Sequence, residues 1–233
     1  MQYKTIVELL NSDPTHHEVM VRGWVRSFRS NRFIALNDGS TIKTLQCVVD
    51  FENFDEELLK KVTVGAAIEV KGMLVESQGQ GQTVEIQVSK LTVLGEANPE
   101  DVKLTIISPK RHSLETLREQ AHLRIRTNTF GAVMRMRSKL AFAVHEYFQK
   151  NGFYYMHSPV ITGSDAEGAG EMFRVSTLDA KNPPLDENGN VNFKEDFFEK
   201  ESNLTVSGQL EAETYAMALG KVYTFGPTFR AEN

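Results

Sequence analysis

Cysteine is nearly absent from this sequence, and long apolar runs are missing altogether. The 233 residues contain one cysteine, Cys47, so the chain forms no internal disulfide. No apolar stretch approaches the roughly 20 residues that a membrane-spanning helix needs. The N-terminal stretch MQYKTIVELLNSD lacks the basic segment, the apolar segment and the cleavage site of a secretory signal. These absences argue against a secreted disulfide-rich domain and a helical membrane protein, and they favour the reducing cytoplasm.

The remaining composition is typical of a soluble globular protein, with 40% hydrophobic and 24% charged residues. On a prior of about 150 residues per domain, the length predicts two domains. The net charge of −5 argues against a general binder of polyanions, although local runs of charge matter more than the total.

Two segments carry several basic residues and no acid, one between Val19 and Asn37 and one between Gln120 and His145. Their cations are Arg22, Arg26, Arg29 and Arg32 in the first segment, and Arg124, Arg126, Arg135, Arg137 and Lys139 in the second. Aromatic residues, among them Trp24 and Phe33, interrupt the first segment. A solvated face balanced by acids elsewhere is one interpretation of either segment, and a nucleic-acid surface is the other.

The first hundred residues show the alternation of β-strands. Three alternating stretches precede the helical pattern FDEELLKKV, and two more, IEVKGML and TVEIQVSKLTVL, follow it. Three strands, a helix and two strands is the order of the five-stranded OB barrel, whose second and third strands often present a nucleic-acid surface.

Alternation also assigns side chains to the two faces of the second and third strands. The predicted inward residues are Ile34, Leu36, Leu45 and Cys47. Phe33 and Gln46 then share the outer face, where an aromatic ring stacks on an unpaired base, worth about 1 to 3 kcal/mol, and an amide reads its edge. An ordinary exposed phenylalanine on a surface strand is the alternative.

The second half of the sequence changes character after a proline-flanked stretch, GEANPEDVKLTIISPKR, which we interpret as a linker. The stretch TFGAVMRMRSKLAFAVHEYFQKNGF predicts an amphipathic helix that ends at Gly152. A strand, YYMHSPVIT, follows and contains Pro159, which belongs at a sheet edge or at a place where another chain packs.

These last motifs carry a resemblance. A helix ending in NGF, the stretch GFYYMHSPVIT and the later FRAEN resemble motif 1 and the start of motif 2 of the class II aminoacyl-tRNA synthetases. With an OB barrel in front, the chain is similar to the subclass for aspartate, asparagine and lysine. The stretches KRHSLETLREQAHLRIRTN, SDAEGAGEMFRVSTLD and LTVSGQLEAETYAMALGKVYTFGPTFRAEN resemble its asparagine-specific members.

The resemblance implies an α+β protein: a five-stranded OB-fold barrel followed by the first part of a class II antiparallel-sheet catalytic domain. The expected organisation is an anticodon-binding domain over residues 1–97, a hinge over 98–128 and a catalytic part over 129–233 that ends within motif 2. We therefore expect an N-terminal fragment that binds tRNA through its barrel but forms no adenylate by itself. The stretch from Asp179 to Lys200 is expected to be a surface insertion.

The implied activity is ATP-dependent activation of L-asparagine to asparaginyl-adenylate and its transfer to tRNA(Asn). ATP is then a substrate, the magnesium ligands are expected beyond Asn233, and a homodimer is expected with Pro159 at its interface. Aspartate–tRNA ligase and a non-catalytic tRNA-binding module are the alternatives.

The terminal stretch VYTFGPTFRAEN is interpreted as a strand, with Tyr223, Phe225, Phe229 and Ala231 on a core face and Thr224, Thr228, Arg230 and Glu232 on a polar face. By the resemblance, Arg230 holds the α-phosphate of ATP as charge develops there, and Glu232 meets the adenine amino group. A buried ion pair between the two is the structural alternative.

The stretch LTVSGQL is also interpreted as a strand, with Ser207 and Gln209 on an open face. The resemblance makes both of them amino-acid-binding residues and assigns the substrate ammonium group to Glu167 in a glycine-rich lid. The lysine of aspartate-specific relatives is replaced here by Ala212. Glu213 is expected to accept a hydrogen bond from the asparagine carboxamide and to repel a carboxylate.

The resemblance matches Phe33 and Gln46 with residues that recognise the central anticodon uridine, and Arg29 with a nearby anticodon contact. The alternation of the strands, independently of the resemblance, also places Phe33 and Gln46 together on the outer face.

Overall fold

The computed structural model describes residues 3–14, 16–79, 81–164, 166, 168 and 171–232. The chain divides into two compact units, Met1–Arg137 and Ser138–Asn233, and each is described separately.

The first unit is built on five strands. In chain order its elements are α1 (Ile6–Leu10), β1 (Glu18–Arg29), β2 (Phe33–Asn37), β3 (Leu45–Val48), a 3₁₀ turn (Phe51–Asn53), α2 (Glu56–Lys60), β4 (Ala67–Glu76), β5 (Val84–Gly95), α3 (Pro99–Lys103), α4 (Leu114–Glu119) and a second 3₁₀ turn (Arg124–Arg126). The strands close into a barrel in the order β1-β2-β3-β5-β4. All pairs are antiparallel except β3 with β5. The predicted order of three strands, a helix and two strands is therefore confirmed.

Close backbone approach explains two glycines of the barrel. A Cβ atom on Gly72 would lie 2.0 Å from the carbonyl oxygen of Gln87, and one on Gly23 would lie 2.7 Å from that of Asn37. Only glycine allows neighbouring strands to approach this closely. The long strand β1 also needs a bulge between Val25 and Ser27 on the side where it pairs with β2.

Helix α1 is short, and its ends and its packing hold it in place. Thr5 and Glu8 form a capping box, and the carboxylate of Asp38 accepts a hydrogen bond from Ile6 N at 2.8 Å. Ile6 and Leu9 are buried in the barrel core. A five-residue helix is marginal in water, so this burial stabilises it.

The stretch 98–128, expected to be a hinge, contains helical turns. Asn98 caps α3 with Pro99 in its first turn, and Ser113 caps α4. Ile106 and Leu117 are buried. The division between the two compact units falls within the following helix, after Arg137.

The second unit contains most of the long helix α5 (Asn128–Lys150) and short elements: β6 (Tyr154–Met156), β7 (Ile161–Thr162), β8 (Arg174–Val175), a 3₁₀ turn (Phe193–Glu195), β9 (Ser202–Leu204), α6 (Gln209–Leu219) and β10 (Val222–Thr224). Strands β10 and β6 pair in parallel, and β7, β9 and β8 form a three-stranded antiparallel sheet. The predicted strand YYMHSPVIT is therefore two strands, with Pro159 between them, because proline has no N–H to donate to a ladder.

Helix α5 forms as predicted and is followed by Gly152, which has a φ of +77°. On one side it packs against β10, where Phe148 stacks on Tyr223 with ring centroids 4.5 Å apart. His145 Nδ1 lies 2.7 Å from the hydroxyl oxygen of Tyr223. Much of its apolar stripe is nevertheless exposed, including Met136 and Leu140.

Candidate functional site

The outer face of strands β2 and β3 carries the predicted base-binding residues. Ala35 pairs with Gln46, and Phe33 pairs with Val48, so Phe33 and Gln46 lie on neighbouring strands. The inward set is buried as predicted: Ile34, Leu36, Leu45 and Cys47 are fully inaccessible. Phe33 and Gln46 are half-buried on the opposite face, and the Arg32 guanidinium lies 5.8 Å from the Phe33 ring centroid.

A buried carboxylate orients the amide of Gln46. Glu85 on β5 is 5% exposed and accepts hydrogen bonds from Gln46 Nε2 at 2.9 Å, Ser77 Oγ at 3.0 Å and Gln87 Nε2 at 3.0 Å. A carboxylate accepts only, so the amide nitrogen must face Glu85. No described residue donates to Gln46 Oε1, which leaves that oxygen as an acceptor for a ligand N–H.

Glu85 was not predicted from the sequence, although a signal was present. The alternation of β5 places Val84 and Ile86 inward, so a charged residue between them faces outward. Alternation does not predict which strands pair. In the structure Cys47 pairs with Ile86, and this register places Glu85 beside Gln46.

A cavity of about 920 Å³ opens beside Gln46, within the first unit. Its lining includes Asn11, Arg29, Lys43, Gln46 and Gln82, and no aspartate or glutamate is among its lining residues. Amides and cations without a carboxylate suit a nucleotide, whose bases offer donors and acceptors and whose backbone is anionic.

One arginine of the first basic segment, Arg22, has charged and aromatic partners within the fold. Arg22 forms an ion pair with Glu69 at 2.9 Å and lies 3.8 Å from the Tyr3 ring centroid. Tyr3 OH also donates to Glu69, at 2.6 Å. The interpretation as a face balanced by nearby acids is therefore correct for Arg22, whereas Arg29 lines the Gln46 cavity.

In the second unit, the terminal stretch is a strand only over Val222–Thr224, so its interpretation as one continuous strand is wrong. Pro227 interrupts the ladder, and beyond it Phe229 N donates to Thr205 O and Ala231 N donates to Glu171 O, both within 3.0 Å.

The two faces of the terminal stretch nevertheless separate largely as expected. Tyr223 is buried, and Phe229 and Ala231 are half-buried, while Thr224, Thr228, Arg230 and Glu232 are exposed. Phe225 is the exception because it is 43% exposed rather than in the core. Arg230 and Glu232 form no ion pair with each other, which argues against the structural alternative of a buried pair.

The stretch LTVSGQL is not a strand beyond Leu204, and that prediction is wrong. Thr205 is buried, its hydroxyl donates to the carbonyl of Ser207, and Gln209 N donates to Ser207 Oγ at 3.1 Å. These local hydrogen bonds turn the chain into helix α6. A Cβ on Gly208 would lie 2.4 Å from Ser158 Oγ, so the turn also needs a glycine.

Gln209 therefore stands at the start of a helix, exposed, with its Nε2 donating to Glu213 Oε1 at 3.0 Å. The spacing of four residues places both side chains on one face of α6. Ala212 is half-buried in the same helix. Glu167, assigned to the substrate ammonium group, lies outside the described residues, and Pro159 is exposed.

The described residues hold no group of three or more histidine, cysteine, aspartate or glutamate side chains able to bind a metal ion. Burial and nearby Glu85 raise the pKa of the Cys47 thiol to about 12, so Cys47 is no metal ligand or nucleophile in the folded barrel. Within the described ranges, no helix has the length and apolar character needed to cross a membrane.

Two family models match the chain. One, described as an OB-fold nucleic acid binding domain, matches residues 19–94, which contain the barrel. The other, described as tRNA synthetases class II (D, K and N), matches residues 113–233, more than half of the chain. The chain belongs to this class II synthetase family. It is an OB-fold barrel followed by part of a class II synthetase catalytic domain.

Individual members of the family are also similar. An asparagine–tRNA ligase of Cytophaga hutchinsonii is 58% identical over 98% of this chain and 50% of its own length. One of Borreliella afzelii is 54% identical over 99% of this chain and 50% of its own length. The chain thus spans about half the length of the curated relatives it matches.

Solved structures share the fold. One is the asparaginyl-tRNA synthetase of Pyrococcus horikoshii complexed with asparaginyl-adenylate. Its alignment covers 100% of this chain and 49% of the Pyrococcus chain, with a TM-score of 0.79 and 24% sequence identity. Another is the asparaginyl-tRNA synthetase of Entamoeba histolytica. Its alignment covers 100% of this chain and 49% of the Entamoeba chain, with a TM-score of 0.74 and 23% sequence identity.

Proposed function

We propose that this chain is part of an asparagine–tRNA ligase, which activates L-asparagine with ATP and transfers it to tRNA(Asn). The observation that carries this proposal is the identity of 52–58% to asparagine–tRNA ligases over nearly the whole chain. Aspartate-specific ligases share the fold, so the choice of amino acid rests on this similarity and on the residues around Gln209.

The barrel is proposed to bind the anticodon. Phe33 supplies a ring for stacking, and Gln46 presents Oε1 to a base N–H while its Nε2 is held by Glu85. Uracil offers an N–H between two carbonyl oxygens, so an amide whose acceptor faces outward fits the central uridine. Arg29, in the same cavity, is proposed as a further anticodon contact.

The second unit is proposed to form the adenylate. When the asparagine carboxylate attacks the α-phosphate, negative charge grows on phosphoryl oxygens, and the exposed guanidinium of Arg230 is proposed to hold them. Glu232 is proposed to accept a hydrogen bond from the adenine amino group. Glu167, Ser207 and Gln209 are proposed to bind the amino acid.

Glu213 is proposed to select asparagine over aspartate. Its carboxylate accepts a hydrogen bond from Gln209 Nε2, so both residues present one polar face of α6. A carboxamide NH₂ donates to such a carboxylate, whereas an aspartate side chain would be repelled by it. Ala212 offers no cation to offset that repulsion.

We also propose a homodimer, in which the exposed apolar stripe of α5 and Pro159 contact a second subunit. A cytoplasmic location is proposed from the scarcity of cysteine and the proposed role in protein synthesis. Magnesium is proposed to accompany ATP, and no described residue is assigned to it.

The proposed domain limits are residues 1–97 for the anticodon domain, 98–128 for the hinge and 129–233 for the catalytic part.

Amino-acid-dependent exchange of pyrophosphate into ATP by the full-length protein tests the function. We expect exchange with asparagine and little with aspartate or lysine, and strong exchange with aspartate would disprove the proposal. Glu213→Gln keeps the size of the side chain and removes its charge, so it should narrow the preference for asparagine. An unchanged preference would remove Glu213 from its proposed role. Glu211→Gln, elsewhere on the same helix, is the matched control.

A further inference from the structure

A second groove adjoins the Gln46 cavity within the first unit. It has a volume of about 1170 Å³, with strand β1 on one side and residues 106–114 on the other. The two spaces share four lining residues, Arg29, Ala35, Thr44 and Asn128. A polymer that enters the Gln46 cavity can therefore continue into the groove past Arg29.

The groove is basic although the chain as a whole is acidic. Its lining includes Arg26, Arg29, Lys110, Arg111 and His112 and contains no aspartate or glutamate, whereas the net charge of the chain is −5. None of its arginines or its lysine forms an ion pair with any carboxylate that the structure describes. A wall of cations without counter-charges attracts anions.

Arg26 shows that this charge is not offset locally. Its Nη1 donates to Arg126 O at 2.6 Å and its Nη2 to Asn128 Oδ1 at 3.4 Å, so neutral oxygens fix the guanidinium. Burial and the neighbouring Arg126 lower the pKa of Arg26, which means that its positive charge lacks compensation. An anion bound in the groove would supply the missing negative charge.

The two spaces differ in chemistry. The Gln46 cavity offers amides, including Gln46 and Gln82, while the groove offers cations and the hydroxyls of Ser27, Ser108 and Ser113. Amides distinguish base edges, whereas cations and hydroxyls bind phosphate oxygens and fix register. An OB fold contacts about 4 to 16 nucleotides of a strand, which is more than an anticodon triplet.

We propose that this groove binds the sugar-phosphate backbone of the RNA strand that continues from the base held at Gln46, with Lys110 and Arg111 as phosphate contacts. The inference rests on the proposed tRNA function and deepens it. Phosphate contacts carry no base information, so the groove adds affinity that falls steeply with salt and leaves the choice of base to the neighbouring cavity.

The test measures binding of a short RNA hairpin that carries the anticodon loop to the full chain, over a series of salt concentrations. For Lys110→Ala with Arg111→Ala we expect about ten-fold weaker binding at low salt and a log–log salt slope reduced by about 1 for each cation removed. The ratio of affinities for hairpins with a central uridine or cytidine should stay as in the parent.

A matched pair of substitutions controls for net charge. Lys61→Ala with Lys90→Ala removes two exposed lysines that line neither space, and we expect less than a two-fold change. Gln46→Ala should do the reverse of the groove variant, weakening the preference for uridine while keeping the salt slope. Lys110→Gln with Arg111→Gln, which keeps long polar side chains, repeats the test if the alanine variant unfolds.

The outcomes separate the two proposals. If the parent binds the hairpin and the groove variants match it in affinity and slope, the inference about the groove is wrong and the proposed function stands. An equal loss in the Lys61 and Lys90 control would overturn it as well. If the parent binds no hairpin at any salt concentration, the proposed anticodon function and the groove fall together.

Discussion

The two units of the chain treat their apolar residues in opposite ways. The barrel buries its aliphatic side chains in one cluster, which includes Val21, Ile34 and Ile86. In the second unit, among described residues, the buried hydrophobic side chains are Ala166, Val206 and Tyr223. Its exposed ones are Leu140, Phe142, Tyr147, Tyr154, Ile161, Phe173, Leu185, Phe197, Phe198, Tyr215, Met217, Leu219 and Phe225.

The difference shows where each unit obtains its stability. The five strands of the barrel lie within about eighty residues of one another, so their hydrogen bonds and core close inside that stretch. Large exposed apolar patches, as in the second unit, are typical of surfaces that contact other protein. We therefore expect the barrel to be the more stable of the two, and each prediction below tests or refines this contrast.

Truncation of a side chain should change the free energy of unfolding far more in the barrel core than at the surface of the second unit, and this is the largest effect that we expect. Ile86 is fully buried in the barrel, so Ile86→Ala should lower the free energy of unfolding by about 2 to 5 kcal/mol. Met217 is 92% exposed, and Met217→Ala should change it by less than about 0.5 kcal/mol. Chemical denaturation followed by circular dichroism measures both, and equal losses would contradict the contrast.

Removal of the proposed catalytic cation should affect only the second unit's chemistry. Arg230→Ala in the full-length protein should lower the rate of adenylate formation by about 10²- to 10³-fold, because a fixed donor to the developing charge is lost. Binding of tRNA should be unchanged. Lys181→Ala, which removes an exposed lysine between β8 and β9, is the control, and a comparable rate loss in that variant would remove the special role of Arg230.

Removal of the stacking ring should have the converse effect. Phe33→Ala should weaken binding of the anticodon hairpin by about 1 to 3 kcal/mol, while pyrophosphate exchange stays at the parent rate. The matched control is Phe51→Ala, since Phe51 is an exposed phenylalanine on a 3₁₀ turn, outside strands β2 and β3. If both variants lose the same affinity, general surface hydrophobicity rather than stacking explains it.

The lone cysteine reports on opening of the barrel. Because burial raises the pKa of Cys47 to about 12, the folded chain should resist alkylation near neutral pH and react once the barrel unfolds. The thiol ionises near pH 8.5 in the unfolded chain, so barrel stability should fall slightly as the pH rises above that value. Cys47→Ala should lose this dependence. Rapid labelling of the folded parent would show that the barrel is open.

Much of the barrel could be predicted because its pattern is local. Alternation alone assigned Ile34, Leu36, Leu45 and Cys47 to the core, and the side-chain period of a strand makes that assignment strict. It failed for LTVSGQL, where the hydroxyls of Thr205 and Ser207 bond to nearby backbone and start a helix. Glu85 was missed because only strand pairing brings it to Gln46.

The sequence by itself determined the order of the barrel's elements, the inward faces of its strands and the family, since these follow from periodicity and from motifs along the chain. Only the tertiary structure decided which distant groups meet: the side chains of Glu85 and Gln46, and the guanidinium of Arg26 with the carbonyl of Arg126. Contacts between residues distant in sequence depend on strand register and on chain reversals. No pattern of neighbouring residues records those distances.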